Sequence, residues 1–187
     1  NKQKVCLIHS KEINHTKGTR LNKRVLNVLN NVDNIISNSS YTKDLAVSCG
    51  VNTENITVIN PGVDPVKKID KKSLDIAENI LKNKNPRLIT VSRFDKRKNH
   101  EKIIMSVRNL KQIYPNIIYT CVGYGDEEEN LKKLVKELDL NEQVIFLKNI
   151  SNNVKNALVV KSNIFVMPSI IYKRSVEGFG IAFIEAA

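Results

Sequence analysis

Short apolar runs alternate with segments of helical period through most of the 187 residues. No other feature restricts the fold as strongly. Apolar strands separated by 10- to 15-residue helices need crossover connections, so they pair in parallel and are covered on both faces. The alternation is most regular after Pro86. Residues 87–92 read as a strand. Residues 99–114 read as a helix with Ile103, Ile104, Val107, Leu110 and Tyr114 on one face, ended by Pro115. Residues 117–122 are a strand, and 126–138 a helix with Asp126 as N-cap and Leu131, Leu134, Val135 and Leu138 as its stripe. A strand at 144–147, a helix at 151–161, a strand at 163–167, a loop at 168–180 and the start of a helix complete four βα units. Right-handed crossovers make these a doubly wound, Rossmann-like α/β domain over residues 86–187. Residues 1–65 hold strands at 5–8, 34–37 and 56–59, and helices at 21–31 and 40–49 with Gly50 after the second. They read as the end of a preceding α/β domain. Residues 66–85, with a helix at 73–82, join the two. Both ends read as cut, with a strand already under way at residue 5 and a helix unfinished at Ala187.

The formal net charge is +11, which suits anionic ligands, anionic lipid or a solvated lysine-rich surface. No zinc finger, basic zipper or aromatic-interleaved basic strand is present, so no nucleic acid is expected as partner. The densest basic stretch, Lys11, Lys17, Arg20, Lys23 and Arg24, lies near Leu21, Val25 and Val28. It reads as a basic amphipathic helix for an anionic membrane surface, or equally as a plain surface helix. Cys6, Cys49 and Cys121 have neither CxxC spacing nor an even count, which argues against a disulfide framework or a zinc site and fits a reducing cytosol. No leader and no membrane-length apolar run is visible. The expected location is cytoplasmic, at the inner face of the plasma membrane if the basic segment binds lipid.

Ligands of an open parallel sheet bind beyond the carboxyl ends of its strands. The residues that follow the strands of the second domain are therefore the candidates. Arg93 and Lys98 supply a fork of donors and a point charge for a diphosphate. Gly123 and Gly125 let backbone N–H groups approach a ligand. The third glycine of the dinucleotide fingerprint is missing, and no acid ends the next strand, which argues against a nicotinamide dinucleotide. Lys148, Asn149 and Ile150 follow the third strand. Glu177 and Glu185 bracket seven residues that include Gly178, Phe179 and Gly180 at a helix start; Glu185 suits a ribose diol and Glu177 a sugar hydroxyl. His9 ends the first strand of the preceding domain. His15 and His100 carry no further signal, and no spacing suggests a metal site.

The ordered set resembles the family 4 retaining glycosyltransferases of GT-B fold along nearly the whole chain. The matching segments are Ile8-His9; Ile35-Ile36-Ser37-Asn38-Ser39; Val58 through Asp64; Val91-Ser92-Arg93 with Lys98; Val122 through Asp126; and Phe165 through Ser169 with the Glu-x7-Glu pair Glu177 and Glu185. The resemblance implies the GT-B type, with residues 1–65 closing the acceptor domain and 86–187 forming most of the donor domain. It implies sugar transfer with retention from a UDP- or GDP-sugar to a cell-surface polysaccharide, lipopolysaccharide or other glycolipid acceptor. It implies no cofactor and no metal, the nucleotide sugar being substrate. Arg93 and Lys98 would neutralise the diphosphate, Glu185 bind ribose and Glu177 the donor sugar. Phe179 and Gly180 would offer backbone N–H groups, Lys148, Asn149 and Ile150 meet the base, and His9 approach the sugar. The chain departs from the family at Asn99, Ser10 and Lys148, and in a long basic loop with Lys173 and Arg174. With half of the acceptor domain lacking, the chain alone is expected to be inactive. Two other classes fit parts of the sequence: a soluble GT-B synthase of sugar metabolism, and a non-catalytic polyanion-binding α/β module, whose binding would fall steeply with salt.

Overall fold

The computed structural model describes residues 2–65 and 68–187. Val66 and Lys67, in the expected 66–85 connection, lie outside the described residues. Two compact units result: one up to Val63 together with Ile170–Ile181, the other Asp64–Ser169 with Ala182–Ala187.

In the first unit, β1 (Val5–Ile8), β2 (Asn34–Ser37) and β3 (Ile56–Val58) form a parallel sheet in that order. α1 (Arg20–Leu29) and α2 (Ser40–Ser48) are the crossovers. Each starts at a hydroxyl cap: Thr19 accepts from the Asn22 N–H and Ser39 from the Thr42 N–H. The core is Ile8, Ile13, Leu29, Ile35, Ala46, Val51 and Ile56.

The second unit starts with α3 (Lys71–Leu81), capped by Asp70, which also accepts from Asn153 at 2.7 Å. Then follow β4 (Arg87–Val91), α4 (His100–Leu110), β5 (Ile118–Val122), α5 (Glu128–Glu137), β6 (Val144–Leu147), α6 (Asn152–Val160), β7 (Ile164–Phe165) and α7 (Ile181–Ala186), which belongs here from Ala182 on. All pairs are parallel, in the order β6-β5-β4-β7. Alternate residues of the buried central strands feed two cores, because successive side chains of a strand point to opposite faces. Leu88, Tyr119, Cys121 and Val144 pack with Ile103, Ile104, Val107, Leu131 and Val135 of α4 and α5. Ile89, Ile118 and Val122 pack with Ala77, Leu81, Val154, Ala157 and Leu158 of α3 and α6. The sheet is covered on both faces, as the continuous apolar strands require.

Most boundaries shift by one or two residues from expectation, as α1 and α3 do, and three differ for a definite physical reason. α4 stops at Leu110, because the turn before Pro115 closes with Ile113 and Tyr114 N–H groups both on the Leu110 carbonyl. α5 begins at Glu128, and Asp126 is not its cap. The Glu127 N–H is taken by the Phe94 carbonyl at 3.0 Å, which holds residues 126 and 127 in the turn. β7 pairs over two residues instead of five, since the chain leaves the edge at Met167-Pro168. Cys121 is fully buried, while Cys6 and Cys49 are half-buried, and all three are free thiols. Among the described residues no helix is long and apolar enough to cross a membrane.

Candidate functional site

The strand order of the second unit sets where a ligand fits. From β4 the chain winds outward through β5 and β6, then returns to pair β7 on the other side of β4. Connections on the two sides of that reversal diverge and leave a crevice beyond the carboxyl ends of β4 and β7. Arg93 and Lys98 leave β4 at this point. The turn that carries them is held by Asp95, which caps residues 96–98 by accepting from the Lys98 N–H at 3.1 Å. Asp95 also lies 3.5 Å from the Arg93 guanidinium and 4.0 Å from that of Arg97. Lys98 is buried, and its Nζ donates to the Met167 sulfur just past β7 at 3.3 Å. Asn99, in left-handed conformation, donates to the Pro168 carbonyl at 3.2 Å. Both residues therefore reach across the reversal. Arg93 instead leaves 70 % of its side chain in solvent.

The β5 turn closes against the β4 turn. A Cβ on Gly123, at φ +148°, would overlap the Ser92 carbonyl oxygen. One on Gly125 would meet the backbone N and C of Phe94 at 2.7 Å. The Phe94 N–H donates to the Tyr124 carbonyl at 2.9 Å. Only glycine permits this approach, which sets the two turns side by side. Beyond β6, Lys148 pairs with Glu128 of α5 at 3.5 Å. Glu128 also accepts from Lys132 at 2.7 Å, and these partners, Lys132 first, hold its carboxyl below the usual range. Asn149 is left-handed, and Ile150 packs into the α3/α6 core. Glu185 of α7 lies 4.0 Å from Lys155, one turn into α6, and so shares the neighbourhood of the β6 exit. The second unit thus brings Arg93, Lys98, Gly123, Lys148, Asn149, Ile150 and Glu185 to the carboxyl side of one sheet.

Glu177, Phe179 and Gly180 fall with His9 in the first unit. His9 follows β1, and its N–H donates to Glu12. A Cβ on Gly178 would lie 2.5 Å from the His9 carbonyl oxygen, 3.0 Å from Ser10 Oγ and 3.1 Å from Asn38 Nδ2. Ser39, the cap of α2, donates its hydroxyl to the Gly178 carbonyl. The loop bearing Glu177 therefore lies against the carboxyl ends of β1 and β2, which brings His9 and Glu177 into one neighbourhood. The basic tip of this loop, Lys173 and Arg174, is a one-bridge hairpin between Tyr172 and Ser175, anchored where Asn14 donates to the Arg174 carbonyl at 2.8 Å.

Sequence reasoning missed His100, the first residue of α4. It is 2 % exposed beneath the β4 turn, and burial pushes its pKa down to about 4. The signal was there: the stripe Ile103, Ile104, Val107, Leu110 extends back by three or four residues onto His100.

Two sequence families cover the chain. Residues 71–187 match the glycosyl transferases group 1 and residues 1–67 the glycosyltransferase family 4. Similar proteins include the amylovoran biosynthesis glycosyltransferase AmsK of Erwinia amylovora, 28 % identical over 75 % of this chain. Another is the N-acetylgalactosamine-N,N'-diacetylbacillosaminyl-diphospho-undecaprenol 4-alpha-N-acetylgalactosaminyltransferase of Campylobacter jejuni, 31 % identical over 82 % of this chain. The chain spans 33 % and 38 % of the length of these two relatives. Among solved structures, Anabaena HepE in complex with UDP superposes with a TM-score of 0.77 at 21 % identity, over 97 % of this chain and 50 % of its own. That likeness speaks for the fold alone, the α/β architecture of GT-B glycosyltransferases. Because the first of the two sequence families accounts for more than half of the residues, the chain belongs to the glycosyl transferases group 1.

Proposed function

We propose that the chain carries most of the donor-binding domain of a retaining glycosyltransferase, which moves a sugar from a UDP- or GDP-sugar to a cell-surface polysaccharide or glycolipid acceptor. One observation carries the reading: two cations of opposite exposure, Arg93 and buried Lys98, leave β4 at the strand-order reversal, on a turn that Gly123 and Gly125 allow to lie directly against the β5 turn. In the reaction the bond from the anomeric carbon to the diphosphate oxygen breaks, the acceptor hydroxyl oxygen bonds that carbon on the same face, and the hydroxyl proton passes to the departing diphosphate. Negative charge grows on the departing diphosphate. Arg93 and Lys98 stabilise it where water is partly excluded, so the nucleotide leaves without a metal or cofactor. In the second unit Glu185 holds the ribose diol and Asn149 and Ile150 with Lys148 border the base, while the roles of Glu177, Phe179, Gly180 and His9 toward the donor sugar follow from the family resemblance alone. Relatives named for amylovoran synthesis and for a diphospho-undecaprenol acceptor support the acceptor class.

In the full-length protein, Arg93→Ala and Lys98→Met are each expected to weaken UDP binding about ten- to a hundredfold, as loss of a charge-assisted contact should. Calorimetric titration reads the affinity, and circular dichroism checks that the variants fold. Affinity unchanged in both folded variants removes the basis of the reading. The membrane part rests on α1, where Leu21 and Val28 are exposed beside Arg20, Lys23 and Arg24. The protein should float with anionic vesicles and lose this when the three cations become glutamine; flotation unaffected by the triple change counts against it.

A further inference from the structure

Beneath the β4 turn lies a row of polar groups among apolar neighbours. Thr90 and Tyr119 are 0 % exposed and His100 2 %. Ser92 Oγ lies 3.0 Å from His100 Nε2, His100 Nδ1 lies 2.7 Å from the Tyr119 hydroxyl, and that hydroxyl lies 2.8 Å from Thr90 Oγ1. Thr90 Oγ1 in turn meets the Val166 carbonyl at the end of β7.

The direction of every bond follows from its last member. A carbonyl only accepts, so Thr90 gives its one proton to Val166. Thr90 must then accept from Tyr119, which has no second proton and must accept from His100 Nδ1–H. A neutral imidazole with a proton on Nδ1 has a bare Nε2, and Ser92 turns its one proton to this nitrogen at 3.0 Å in preference to the Arg93 carbonyl, which its hydroxyl also meets at 3.2 Å. Burial favours the neutral ring. Lys98 acts in the same sense, while the Arg93 carbonyl and the Asp95 carboxylate favour the charged ring without overcoming burial.

The row ends where the anion site begins. Ser92 immediately precedes Arg93. Phe94, immediately after it, packs its ring edge-on against His100 at 5.0 Å and makes the backbone bonds to the Gly125 turn. His100 thus grips both neighbours of Arg93. Lys98 comes two residues before it, on the turn that Asp95 caps. A hydrophobic side chain would fill the same space but take away the donor to the Tyr119 oxygen and leave the Ser92 proton to the Arg93 carbonyl, so the row would be cut between β5 and the turn.

We propose that His100 is a positioning residue for the anion-binding turn: as the neutral Nδ1–H tautomer it links the β7 main chain to Ser92 through one directed row of hydrogen bonds, and so fixes the turn that presents Arg93 and Lys98. The inference rests on the reading of Arg93 and Lys98 as diphosphate ligands, and it adds a residue that touches no substrate.

The test uses the full-length protein. With histidine labelled by nitrogen-15, the long-range proton–nitrogen spectrum at pH 7 should show His100 Nδ1 as the protonated nitrogen and Nε2 as the bare one. A proton on Nε2, or on both, overturns the relay. His100→Phe should weaken UDP binding about tenfold, the worth of a lost buried hydrogen bond. His100→Asn, whose amide can donate to Tyr119, should recover part of the loss. If His100→Phe does not fold, Tyr119→Phe cuts the same row one bond further on and should weaken UDP binding several-fold. Wild-type affinity in a folded variant, with Arg93→Ala still impaired, overturns the positioning role and leaves the donor site standing. Wild-type affinity in Arg93→Ala as well overturns the donor site itself.

Discussion

Gly125→Ala is expected to destabilise the second unit by at least about 3 kcal/mol, lowering its melting temperature by about 10 °C or more. The added methyl carbon would overlap the Phe94 carbonyl oxygen and stand 2.7 Å from the Phe94 N and C atoms. All three are backbone, so no side-chain rotation makes room. Nor can Phe94 withdraw easily. Its N–H donates to Tyr124, its carbonyl accepts from Glu127, and its 1 % exposed ring packs against His100 and Phe146. Moving that backbone would break two hydrogen bonds and open the α4/α5 core. Gly62→Ala is the control: nothing lies within 4 Å of its would-be Cβ and its φ is not positive. It should stay within about 0.5 kcal/mol of the parent. Urea unfolding followed by circular dichroism measures both. A Gly125→Ala protein as stable as the parent would mean that the β4 and β5 turns are not in contact.

Acidification should remove about 3 kcal/mol of stability through His100 alone. The unfolded chain protonates this histidine near its ordinary value of 6.5, and the folded chain only at about 4. Between those values the unfolded state binds the extra proton, so stability rises with pH. The contribution is whole above pH 6.5, declines as pH falls through the window, and is gone below about pH 4. The carboxyls of Asp70, Glu78 and Glu128 are held below their usual range by hydrogen-bond partners, Ser73, Arg87 and Lys132 first in each case. They also lose stabilising character on acidification, but equally in a His100→Phe protein. The difference between the two proteins isolates the imidazole. Urea midpoints at several pH values from 7 to 4 should fall more steeply for the parent than for His100→Phe, and parallel curves would mean that the ring is not buried neutral.

Most of the second sheet was legible because its strands are apolar throughout and its helices carry clear stripes, so local pattern and global burial agree. The cations after β4 were legible because ligand sites of such sheets follow strand ends. What escaped notice depends on partners distant in sequence. Asp126 has the chemistry of a cap, but the Phe94 carbonyl, from another turn, claims the N–H that would begin the helix. Gly123 and Gly125 read as a weak GxG; their need for glycine comes from Ser92 and Phe94 backbone that no local window contains. His100 looked silent because its partners come from β4, β5 and the end of β7. The placement of Ile170–Ile181 with the first unit was likewise unreadable from spacing, since it rests on Gly178 lying against His9, Ser10 and Asn38.

Cys121, at the centre of β5, is sealed on both sides, and burial raises its thiol far above the ordinary value. Thiolate is the form that alkylating reagents attack, so this sulfur stays silent while the sheet is closed. Cys6 and Cys49, only half-covered in the other unit, have no such shield. The chain thus contains its own stopwatch: the moment at which the third thiol takes up label marks the unzipping of the central strand.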